Sequence, residues 1–123
     1  MSAALTSIIL YAKDMQRSAA FYQQHFGFSG SVEVVEGLIE LTAGDGSCSI
    51  LIHQAAKSLK FGQATVKLMF SVQDVEAFKA LSAEQGLHFG STHQANGYSF
   101  ANAKDPDQNN ICISSRAYRT TTP

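Results

Sequence analysis

Lys67 and Cys112 are the two side chains of this sequence whose reactivity could carry chemistry, and four histidines, His25, His53, His88 and His93, could hold protons or metal ions. A desolvated amine such as Lys67 binds an anionic or carbonyl ligand, or with a lowered pKa acts as a base or Schiff-base former. The plainer reading has its stem packed and its amine reaching water or a carboxylate such as Glu40. Cys112 becomes a nucleophile if a cation such as Lys67 favours its thiolate, but a small buried apolar filler is the favoured alternative. Cys48 is expected on the core side. A metal site from His53 with Glu40 and His93 can be drawn, yet no two histidines have helical i,i+4 spacing and Glu40 has no assigned face. His25 falls near a helix end, where a partly positive imidazole suits the dipole. His88 is unassigned, and His93 has no role beyond that drawing. No intact set of catalytic residues accompanies any of these.

Bulk properties narrow the classes. The 123 residues are 45% hydrophobic and 15% charged with a formal net charge of −1, which suits one ordinary globular domain. Without a basic run there is no footprint for nucleic acid or for an anionic membrane surface. No window approaches the ~20 apolar residues of a membrane helix. The early apolar stretch stops at Lys13-Asp14 and lacks the basic lead of a signal sequence. Neither cysteine lies in a CxxC pair, so neither a disulfide framework nor a zinc knuckle is indicated. The expectation is a cytoplasmic domain that engages neither nucleic acid nor membrane.

The elements that must position these side chains come from a repeat. Ile8 to Met15, followed by Phe21, Tyr22 and Gly27-Phe28, recurs sixty residues later as Leu68 to Val75, followed by Phe78, Leu81 and Gly86-Leu87. Each copy reads strand, Asp, amphipathic helix, Gly, strand. Asp14 and Asp74 are the helix caps and Gly27 and Gly86 the left-handed stops. Met15, Ala19, Tyr22 and Phe26 form the buried stripe of the first helix, and Val75, Phe78 and Leu81 that of the second. Three extended runs follow each helix: 28–35, 38–43 and 47–53 in the first copy, 87–93, 98–103 and 110–114 in the second. Turns fall at Glu36-Gly37, Gly44-Asp45-Gly46, Asn96-Gly97 and Asp105-Pro106-Asp107. The fold class is therefore α+β. Two tandem βαβββ modules, residues 1–54 and 64–115, are joined by a linker at 55–63 and followed by a polar tail at 116–123. Together they are expected to make an eight-stranded, incompletely closed barrel-like sheet, with one helix per module outside and a cleft inside.

Lys13-Asp14-Met15, Arg17-Ser18, Phe21-Tyr22, Phe26-Gly27-Phe28 and the late Asp105-Pro106-Asp107 give a sequence that resembles the glyoxalase / bleomycin-resistance / extradiol-dioxygenase superfamily, the vicinal oxygen chelate fold. The resemblance spans essentially the whole chain. It implies metal ligands on the first and last strand of each module, at positions that here hold Ser7, Leu51, Lys67 and Cys112, where the family expects His or Gln, His, and two Glu. A divalent ion needs several oxygen or imidazole donors. Leu51 has none, Lys67 puts a cation where a cation should bind, Ser7 is a poor neutral ligand, and one thiolate does not hold a metal. No metal and no cofactor are expected. The family pattern also has Gly after Asp-Pro-Asp, whereas this chain has Gln108. A following Asn would take the positive-φ role there, leaving the turn shifted or slightly strained.

Strand alternation from those positions places Ser7, Ile9, Tyr11, Leu51, His53, Lys67, Met69, Phe100, Asn102 and Cys112 on the cleft, with Tyr98 nearer its rim. Aromatic and apolar walls with a few polar points suit a flat organic ligand. The leading expectation is a small-molecule binding or sequestering protein similar to bleomycin-resistance proteins, paired as a homodimer. The alternative is a divergent glyoxalase-like lyase or isomerase, with relocated metal ligands or with metal-free chemistry at Lys67 or Cys112. A third reading, an interaction module whose cleft is filled by its own side chains, ranks last because Ser7, Lys67 and Asn102 suit a filled core poorly.

Overall fold

A computed structural model describes residues 1–120. The chain divides into two compact units, the first ending at Lys60 and the second beginning at Phe61. In the first, β1 (Ser7–Ala12) leads into α1 (Met15–Phe26), followed by β2 (Leu38–Thr42) and β3 (Ser49–Gln54). In the second, β4 (Lys67–Ser71) leads into α2 (Val75–Glu84), followed by β5 (His93–Ala95), β6 (Tyr98–Lys104) and β7 (Asn110–Ser114). A short 3₁₀ turn over Arg116–Tyr118 occupies part of the expected polar tail, and residues 121–123 of that tail lie outside the described residues.

Both units have the same internal order. The first sheet runs β1-β3-β2 and the second β4-β7-β6-β5. In each, the first strand lies parallel to the last, Ser7 opposite Ser49 and Lys67 opposite Asn110, and the remaining pairs are antiparallel. The two helix entries match closely. Asp14 Oδ1 accepts from the Arg17 N–H at 3.1 Å and Asp74 Oδ1 from the Ala77 N–H at 3.0 Å. Each such cap satisfies an otherwise unpaired first-turn donor and is worth about 1 kcal/mol. Gly27 ends α1 at φ 69, and Gly86 follows α2 at φ 89. There the Leu87 N–H reaches Ser82 O and the Gly86 N–H reaches Ala83 O, which closes the second helix as a Schellman turn.

Alternation decides what each sheet buries. Ala12, Ile39, Leu41, Ile50 and Ile52 pack with Met15, Ala19 and Tyr22 of α1. In the second unit Ala101, Ile111 and Ile113 form the corresponding face, with Val75 and Leu87. Each large aliphatic side chain buried this way contributes about 1.5–3 kcal/mol. The expected stripe of α2 needs correction, because Leu81 is 61% exposed while Ser82 is 4% exposed. Six residues on from Val75 is a rotation of about 240°, so Leu81 swings off the core side, whereas Ser82, seven on, returns to it. Cys48 is also half-buried and not a core residue, since it lies one position before β3 begins.

Seven strands form, not eight, among the described residues. Residues 28–35 make only two isolated bridges, Ser29 with Thr42 and Val35 with Leu38. Gly30 interrupts the ladder between them. Its φ is 139, and a Cβ there would lie 2.6 Å from the Glu40 carbonyl oxygen. The expected strand at 87–93 likewise shrinks to the three residues of β5. The result is two mixed sheets of three and four strands, neither closed on itself.

The Asp105 turn keeps its form without the usual glycine. Asp105 Oδ1 accepts from the backbone N–H groups of Asp107 and Asn109, each at 2.9 Å, and Oδ2 accepts from Asn109 Nδ2 at 3.0 Å. The positive φ falls on Gln108 itself, at 66, and not on a following Asn. Gln108→Gly should therefore stabilise the protein by about 0.5–1 kcal/mol, the left-handed strain relieved less the glycine entropy. Gly30→Ala should cost about 2 kcal/mol or more, because both its φ and the Glu40 carbonyl oppose a Cβ. Urea denaturation of the two variants should show midpoints moving in opposite directions.

Candidate functional site

Each sheet has one face carrying its helix and one face without it, and the ten residues expected to line a cleft all fall on the second kind. On the first sheet, Ile9 pairs with Leu51 and Tyr11 with His53, while Ser7 pairs with Ser49 at the strand start. The adjoining β2 puts Glu40 opposite Leu51 and Leu38 opposite His53, which assigns Glu40 to this face. Tyr11 and Ile9 are exposed, and the Tyr11 and His53 rings lie 5.9 Å apart.

The second sheet presents its corresponding face in rows. Lys67, Asn110 and Lys104 form one row, and Met69, Cys112 and Asn102 the next. Ser71, Ser114, Phe100 and His93 form a third, and Tyr98 and Ala95 a fourth. Lys67 leans diagonally across β7, and its Nζ donates to Asn102 Oδ1 at 2.9 Å. That neutral amide is its partner. Lys104 Nζ similarly donates to Asn110 Oδ1 at 2.6 Å. Toward the other end the π systems form a ladder. His93 stacks on Phe100 at 5.1 Å, Phe100 adjoins Tyr98 at 6.4 Å, and the Arg116 guanidinium sits 5.8 Å from the centre of the Tyr98 ring.

His93 was left without a role by the sequence, yet the signal was there. The Asn96-Gly97 turn pairs Ala95 with Tyr98, and counting back two residues on each strand brings His93 opposite Phe100. His88 is exposed in the segment between α2 and β5.

Cys112 is 4% exposed, and burial pushes its thiol above the ordinary range, an effect larger than the opposing pull of the Lys67 charge. The thiol is thus protonated at neutral pH, and desolvation opposes the less favoured reading of a Lys67-stabilised thiolate. His25 departs from its expected state for the same reason. Its ring lies 4.9 Å from that of Phe21, and its buried Nδ1 has no hydrogen-bond partner. Burial pushes its pKa below the ordinary 6.5, so the neutral imidazole occupies this helix end; loss of water outweighs the dipole.

A family model described as the Glyoxalase/Bleomycin resistance protein/Dioxygenase superfamily matches residues 4–113, and the chain belongs to that superfamily. Comparison with curated proteins returned no match. Among solved structures, UcmS2 is similar with a TM-score of 0.79 at 15% identity, covering 94% of this chain and 99% of that one. TnmS3, an antibiotic binding protein from Streptomyces sp. CB03234, has a TM-score of 0.75 at 18% identity, with coverage of 91% and 94%. Lactoylglutathione lyase from Agrobacterium tumefaciens has a TM-score of 0.71 at 19% identity, with coverage of 93% and 94%. These likenesses show a shared fold.

The four residues that the resemblance implies for metal-ligand positions do not fit a divalent ion. Ser7 offers a neutral hydroxyl, Leu51 a hydrocarbon, Lys67 an ammonium already donating to Asn102, and Cys112 a protonated thiol. Glu40 and His53 share a face, but among the described residues no three His, Cys, Asp or Glu side chains are grouped to hold a metal. No helix among them is long and apolar enough to cross a membrane.

Two measurements follow from the buried groups. With a thiol reagent near neutral pH, Cys112 should label much more slowly than the half-buried Cys48, and the two should become equivalent in denaturant. For His25, the unfolded chain takes up its proton near pH 6.5 while the folded chain resists it. Stability is full above that pH and falls as the pH drops from there through the lower folded value. Thermal melts should show a smaller loss between about pH 7 and about pH 5 for His25→Leu than for the parent protein; equal losses would assign the acid sensitivity to other groups.

Proposed function

We propose that this chain binds or sequesters a small organic molecule, without the metal ion used by metal-dependent members of its superfamily, and that it acts as a cytoplasmic homodimer. The observation that carries the reading is Lys67. At a position where those members place a metal ligand stands an amine, held to the Asn102 amide on an otherwise helix-free sheet face. An ammonium there repels a cation and attracts a ligand. The proposed contacts are Ser7, Ile9, Tyr11, Leu51 and His53 on the first sheet and Lys67, Met69, Phe100, Asn102 and Cys112 on the second.

The fold alone does not choose between binding and catalysis, since an antibiotic binding protein and a lyase both have it. Side-chain chemistry favours binding. A metal-free catalyst at Cys112 would require a thiolate, which burial opposes. Two free cysteines suit a reducing compartment, and the exposed Ile9, Tyr11, Val34 and Val35 offer apolar surface for a second copy to cover.

Elemental analysis of protein purified without chelator should find divalent metal far below one equivalent. One equivalent of bound metal would overturn the proposal in favour of a relocated metal centre. Sedimentation velocity of the same preparation should give a dimer.

A further inference from the structure

We propose that the helix-free face of the second sheet selects a planar aromatic anion, its ring against the Phe100 and His93 ladder and its anionic group at the Lys67 amine. This deepens the small-molecule reading and rests on it.

Charge is the first argument. The chain carries a net charge of −1, yet none of the strand residues sharing this face is Asp or Glu. Its cations therefore meet neutral partners. Lys67 is bonded to an amide oxygen, and so is Lys104. An amide orients an ammonium but does not neutralise it, so the positive charge remains available to an anion. The same contact adds a second donor. With Oδ1 accepting from Lys67, the Asn102 amide leaves N–H groups beside the amine, and a carboxylate can take one oxygen to each.

Spacing is the second argument. Asn102 and Phe100 are two residues apart on β6 with side chains on one face, which separates the amine anchor from the aromatic ladder by about 7 Å. That span matches a carboxylate joined to a ring system, not a compact inorganic ion. The rings are already aligned, with 28° between the His93 and Phe100 planes, and His93 is exposed. A flat ligand can extend this stack with little reordering. Arg116 over Tyr98 adds a cation at the far end of the same row of rings.

Calorimetry on the full chain tests this with 2-naphthoate, the isosteric neutral 2-naphthamide and the non-aromatic cyclohexanecarboxylate. The naphthoate should bind at least about tenfold more tightly than naphthamide, since a charge-assisted hydrogen bond is worth that much, and more tightly than cyclohexanecarboxylate, which has no ring to stack on Phe100 and His93. Lys67→Met should erase the gap between naphthoate and naphthamide by weakening naphthoate the more, and Phe100→Leu should weaken both aromatic probes. In the parent protein, raising salt should weaken the two carboxylates and leave naphthamide unaffected, a check that requires no variant to fold. Equal binding of naphthoate and naphthamide, or a Lys67→Met protein that still prefers naphthoate, would overturn the inference and leave small-molecule binding standing. If none of the three probes binds, the inference falls; if in addition no member of a chemically mixed organic library shifts the amide spectrum, the small-molecule reading falls with it.

Discussion

One helix can bury one face of a sheet and no more, and each half of this protein has one helix. α1 takes the isoleucine and leucine face of the first sheet, and α2 takes the Ala101, Ile111 and Ile113 face of the second. The strand period of two then sends every other side chain to the opposite face. Tyr11, His53 and Lys67 are displayed by the same pleat that drives their neighbours into the core. A one-residue slip of β4 would turn Lys67 toward the core and Leu68 and Phe70 away from it, so core packing also holds the register of the helix-free face.

Desolvation sets the chemical character of that face. It keeps Cys112 as a thiol despite a nearby ammonium, and at the far end of α1 it keeps His25 neutral despite the helix dipole. In both places a residue whose type suggests reactivity is quieted by lost water. Lys67 is different, because it is exposed and its hydrogen-bond partner is an uncharged amide. Its charge, like that of Lys104 in the same row, meets only an amide oxygen.

Much of this was legible in the residues. The repeat, the two Asp caps, the glycine stops and the alternation of β1 and β4 follow from local rules, and the structure has them where those rules put them. What was missed depends on non-local facts. Leu81 looked buried because a spacing of three resembles a helix stripe, yet two such steps drift around the helix, and buried Ser82 carries no apolar signal. Residues 28–35 read as a strand, but the approach of Gly30 to the Glu40 carbonyl is set by a neighbour in space. The Lys67–Asn102 contact spans three strands, so no local pattern could have revealed it. His93 was recoverable by counting from its turn.

The parallel pairing of β1 with β3 fixes an order of events during synthesis. β1 has no other partner in its sheet, and Ser7 meets Ser49 only after the helix and the β2 hairpin arm between them have been made. While the ribosome extends the chain through those residues, the first strand waits unpaired with its isoleucines uncovered. Until Gln54 has cleared the exit tunnel, that strand is an unpaired edge of the kind through which incomplete chains associate, and β4 repeats the situation until β7 is made.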